Sequence, residues 1–142
     1  RGMAQELAGG RNFKITWEPP TAICRVWQRP DLSSADGAAC AEEMSSFLVK
    51  LASRAGVHGV VFDVSEAPPV TGPKTEAALG AMYSVYEKAK RRIAVVTADH
   101  ATQRMQQTRV LREHAPEFGR VVASLDEGRA FVEAPTSSQR GR

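Results

Sequence analysis

The sequence predicts an α/β domain: a single mixed, mostly parallel sheet of about five strands with about four helices, in the order ββαβαβαβα. Three observations lead there. Two alternating segments near the N-terminus are separated by a Pro-Pro pair, the mark of a hairpin. Three later apolar runs are short and rich in β-branched residues, as strands buried on both faces are. Each of those runs is reached through a segment with helical spacing, and this βαβ alternation calls for parallel strands joined by crossovers. With 142 residues and a mass of 15.4 kDa, the chain has room for one core and not for two.

The elements follow in order. Residues 1–12 and 134–142 are polar, small and rich in Gly, Ser and Arg, so they are expected as flexible tails around a domain of residues 13–133. Phe13, Ile15 and Trp17 alternate with Lys14 and Thr16, stop at Pro19-Pro20, and give way to a second strand from Ala22 to Trp27. Ser and Asp residues at 31–34 signal a helix start, after which Cys40, Met44, Phe47, Leu48 and Leu51 form one apolar stripe. Gly56 is expected as the residue that closes this helix. Residues 58–64 read as a buried strand, and residues 65–73, with three prolines and a glycine, as a loop. Pro73 suits the first turn of a second helix whose inner face carries Leu79, Met82, Tyr86 and Ala89. A strand at 92–97, a helix at 101–114 stopped by Pro116, a strand at 120–124 and a helix at 125–133 complete the order.

Charge placement narrows the function classes. The net charge of +3 is 19 Lys and Arg against 16 Asp and Glu, but residues 13–133 hold 15 of each sign. A neutral body argues against nucleic-acid binding, which wants a basic face on the domain itself. Apolar runs such as 60–62 and 93–96 fall far short of the roughly 20 residues that span a bilayer, and no charged leader precedes an apolar stretch. The expectation is a cytoplasmic protein with no membrane span, with self-association left open. Cys24 and Cys40 are expected as reduced core residues, and with His58, His100 and His114 they form no metal-ligand spacing. No cofactor is expected.

Chemistry in open α/β sheets gathers beyond the C-terminal ends of the parallel strands. Two loops qualify. The first runs from Asp63 and Ser65 through Thr71 and Gly72 to Lys74 and Thr75; the second spans residues 97–102 and includes Asp99 and His100. Gly72-Pro73-Lys74-Thr75 lacks the first glycine of a phosphate-binding loop, and no Gly-x-Gly-x-x-Gly follows a strand. A receiver domain would place Asp63 and Thr97 at suitable strand ends, but the acidic pair and the final lysine it needs are missing. No nucleophile elbow occurs. Asp99 is expected as a helix N-cap and Ser65 as a turn residue bonding its own loop.

The segment Val60-Val61-Phe62-Asp63-Val64-Ser65, an apolar strand ending in an acid and a hydroxyl, is followed by a loop and the amphipathic stretch Leu79-Gly80-Ala81-Met82-Tyr83. Further on come Gln103-Arg104-Met105 and a final strand leading into Leu125-Asp126-Glu127. In these features residues 13–133 resemble the STAS domain, the fold of anti-sigma-factor antagonists, with its STAS-like and SEC14-like relatives. The resemblance implies a non-enzymatic regulatory or scaffolding domain that binds a protein partner through Asp63, Ser65, Thr71, Gly72, Lys74 and Thr75. The family's Asp-Ser-Ser-Gly motif would fall at residues 70–73, where serine is absent and Thr71 is the nearby hydroxyl, hence the candidate phospho-acceptor. The SEC14-like relatives imply an alternative, a carrier of a small ligand or lipid, with Met44, Met82, Met105, Trp17 and Trp27 lining an apolar pocket. A degenerate receiver-like domain is the third reading.

Overall fold

A computed structural model describes residues 4–70, 72–97 and 99–135. Its elements are β1 (Gln5–Gly9), β2 (Phe13–Glu18), β3 (Thr21–Trp27), α1 (Ser34–Leu51), β4 (Gly59–Glu66), α2 (Pro73–Ala89), β5 (Arg92–Val96), α3 (Ala101–His114), β6 (Gly119–Val122) and α4 (Leu125–Glu133). They build one mixed six-stranded sheet in the order β1-β2-β3-β4-β5-β6. Strands β1, β2 and β3 pair antiparallel; β3, β4, β5 and β6 pair parallel.

The sixth strand is a correction to the expected count. Strand β1 lies inside the segment expected to be a tail, and it holds to β2 by backbone pairing of Gln5 with Trp17 and Gly9 with Lys14, with a register shift near Leu7. Edge pairing of this kind needs no apolar alternation, because one partner strand supplies all the hydrogen bonds. Three smaller details also differ. Helix α1 ends at the C-cap Ala52, with Gly56 in the following loop at φ 86°. The N-cap of α3 is His100, whose Nδ1 accepts from the Gln103 N–H, while the Asp99 side chain is fully exposed. On α2 the inner face includes the fully buried Tyr83, and Ala89 is exposed.

The two faces of the sheet are covered unequally. Each crossover from β3 onward moves one strand in the same direction, so crossovers of a single hand deliver α1, α2 and α3 to one face. There Ile15, Cys24, Val60, Phe62, Ile93 and Val95 meet Leu48, Met82, Tyr83 and Tyr86 in the larger core cluster. Helix α4 follows the last strand and folds back over the other face, where Ile23, Val61, Ala94, Val96, Val122 and Val132 form a smaller cluster. Gly128 makes that fit: a Cβ there would lie 2.8 Å from Val61 Cγ1. Ser124 Oγ starts α4 by accepting from Glu127 N–H at 3.1 Å, and Glu127 accepts from Ala123 N–H at 2.8 Å. The two cysteines are buried and free, and burial pushes the Cys24 thiol pKa well up.

Candidate functional site

Strands β3 and β4 lose register at their C-terminal ends, where Arg25 pairs with Asp63 but Trp27 pairs with Glu66. Such an irregularity re-aims the chain leaving the sheet. By the alternation of β4, Asp63 shares its face with Val61 on the α4 side, whereas Phe62 and Val64 face the three-helix core. Asp63 Oδ1 accepts from the Ser65 backbone N–H at 3.0 Å and from Ser65 Oγ at 2.6 Å. The pair is closed on itself, but Ser65 lies within β4, which runs on to Glu66, and not in the loop turn expected for it. Gly72 stands at the N-cap of α2 with φ 92°, a conformation that only glycine adopts readily, and no side chain caps this helix start. Lys74 is exposed and Thr75 half-buried. Thr71 lies outside the described residues.

The loop between β4 and α2 is held from α3. Gln103 Nε2 donates to the carbonyls of Val64 at 2.9 Å and Ala67 at 3.2 Å. One turn on, Gln106 makes a reciprocal pair with the Val70 backbone, donating to its carbonyl at 2.7 Å and accepting from its N–H at 3.1 Å. Gln107 completes the row: its Oε1 accepts from the Tyr83 hydroxyl at 2.6 Å. Positions 103, 106 and 107 share one helical face by their i, i+3, i+4 spacing. Sequence reasoning assigned none of these glutamines a role, since polar residues on a helix read as solvated surface.

Beneath this loop a cleft of about 490 Å³ opens at the C-terminal ends of the parallel strands. Val26, Phe62 and Val64 contribute from the sheet, Gly37, Ala41 and Met44 from α1, Thr75 and Leu79 from α2, and Gln103 and Gln107 from α3. The lining is mostly apolar and contains no charged side chain. Gln103 and Gln107 are 2% and 1% exposed. The Nε2 of Gln107 has no hydrogen-bond partner among the described residues. A more open depression of about 340 Å³ lies between α3 and β6, far from the loop, and lacks a buried polar group of this kind.

No family model matches the chain, and no curated protein matches it either. The site is therefore read from its own residues. Of the side chains proposed for a carrier's pocket, Met44 lines the cleft, Met82 is buried in the core at 1% exposure, and Met105 is 71% exposed. Trp17 and Trp27 are half-buried and do not line the cleft. Among the described residues no group of three His, Cys, Asp or Glu side chains is placed to hold a metal ion, and no helix is long and apolar enough to cross a membrane.

Proposed function

We propose that the domain is a non-enzymatic, STAS-like regulatory module that presents the β4–α2 loop and the first turn of α2 to a protein partner. The observation that carries this reading is the glutamine clamp. A loop serving only as a connection gains little from being fixed, whereas here Gln103 and Gln106 fix Val64, Ala67 and Val70 through four side-chain-to-backbone bonds. Pro68, Gly72 and Lys74 of the same segment stay exposed. A surface ordered in advance loses less conformational entropy on docking, so more of the contact energy appears as affinity. Phosphorylation of Thr71 would add a dianion immediately before Gly72 and alter the charge of this surface.

Affinity capture with the full chain identifies a binding protein, and the purified pair is then titrated with wild type, Thr71→Glu, Lys74→Glu and Gln106→Leu. We expect each variant to weaken binding by about tenfold, the loss of roughly 1.4 kcal/mol, with unchanged circular dichroism. Arg112→Glu, on α3 in the depression beside β6, should bind as wild type does. Equal affinity across the whole set would refute this reading.

A further inference from the structure

The cleft under the loop holds an arrangement that partner docking does not use. Its volume of about 490 Å³ lies within the size range of small-molecule sites, which runs from about 300 to 1,000 Å³. It is walled by apolar groups from four elements, and on α1 the wall is kept low by Gly37 and Ala41. Into this apolar space one carboxamide end is left without a partner: Gln107 is 1% exposed, its Oε1 is engaged by Tyr83, and its Nε2 is free to donate. That nitrogen is not among the fully enclosed unpartnered atoms of the described residues, so it opens onto the cleft, where a donor set in an apolar wall is placed to meet an incoming acceptor. The absence of charged side chains from the lining selects against an ionic ligand, which would give up its hydration without gaining a counter-charge.

We propose that the cleft binds a small neutral molecule with an apolar body and one hydrogen-bond acceptor, the acceptor receiving the Gln107 Nε2 proton. The apolar body packs against Phe62, Val64 and Leu79, and the mouth lies beside Gly37 of α1. The cleft shares Thr75 and the underside of the β4–α2 loop with the proposed docking surface, but its polar contact, Gln107 Nε2, is no part of that surface, so either reading can fail alone.

Two probes of nearly equal shape test it. The isotopically labelled full chain is titrated with acetophenone, which carries a carbonyl acceptor, and with ethylbenzene, which does not, while the Val64 and Leu79 methyl signals and the Gln107 side-chain amide signal are followed. We expect acetophenone to move all three and to bind about tenfold tighter than ethylbenzene, as one hydrogen bond to a buried donor allows. Gln107→Leu should make the two probes equal. That variant also strips the Tyr83 hydroxyl of its acceptor, so Gly37→Leu provides a second test away from the core. A Cβ at Gly37 meets nothing within 4 Å, and leucine favours the helix while filling the mouth of the cleft. Both probes should lose binding in Gly37→Leu. The proposal is overturned if neither probe moves the cleft signals, if ethylbenzene binds wild type as tightly as acetophenone, or if Gly37→Leu leaves binding intact.

Discussion

The two faces of the sheet solve the same burial problem by different means. On one, three helices bring large side chains such as Leu48, Tyr83 and Tyr86 down to 0% exposure. On the other, the nine-residue α4 covers only the middle of the sheet with small and β-branched groups. Polar ties supplement that modest cluster. Thr21 Oγ1 donates to Glu133 at 2.8 Å, Arg129 pairs with Glu18 at 3.2 Å, and the Arg92 guanidinium donates to the Phe131 carbonyl at 2.7 Å near the C-terminal end of α4. Arg92 and Arg120 also lie over the Phe131 ring, at 5.1 and 4.7 Å. The difference teaches where stability and function can reside. A face sealed by a large apolar mass tolerates an unfilled cleft at one end, and a face closed by one short helix has no apolar surplus for such a gap.

The largest expected effect breaks the sealed face. Leu48→Ala removes a side chain at 0% exposure from the larger cluster, and a loss of about 2–5 kcal/mol follows from transfer and cavity terms together. Chemical denaturation should show a lower midpoint with an unchanged slope. A loss below about 1 kcal/mol would mean that the three-helix face relaxes around the void, contrary to close packing. The second effect tests the other face by crowding instead of by cavity. Gly128→Val places new atoms against Val61 and should cost about 1–3 kcal/mol as α4 shifts outward. The same denaturation experiment measures it, and a neutral outcome would show that α4 rides loosely on the sheet.

This comparison also explains how much could be read before the structure. Strands β2 to β6 and all four helices announced themselves because their side chains alternate or recur against a core, as Val60, Val61, Phe62 and Val64 do in β4. Strand β1 did not, since Gln5–Gly9 joins an edge by backbone groups that every sequence possesses. The candidate loop was found from its place after a parallel strand, but its clamp was not. Gln106 and Val70 are 36 positions apart, as are Gln103 and Ala67, and nothing local distinguishes a glutamine that crosses such a gap from one that faces water. Of the apolar pocket expected for a carrier only Met44 lines the cleft, because its shape arises from small residues on α1 standing opposite β4, a juxtaposition set by packing.

The smallest expected effect concerns the polar ties. Glu18 and Arg129 have side chains only 18% and 23% exposed, so their pairing is neither a free surface contact nor a buried one. Desolvation offsets much of the attraction in such a place, and Arg129 keeps a second carboxylate, Asp126, at 3.3 Å when Glu18 is neutralised. Glu18→Gln preserves shape and removes only the charge. The expected loss is therefore under about 1 kcal/mol, within the range of ordinary ion pairs, and it should shrink further as salt rises. A loss above about 3 kcal/mol, insensitive to salt, would instead place Arg129 among buried charges that fail without their partner. In that case α4 would be held to the sheet chiefly by electrostatics, and the apolar cluster of Ile23, Val61 and Val132 would be secondary to it.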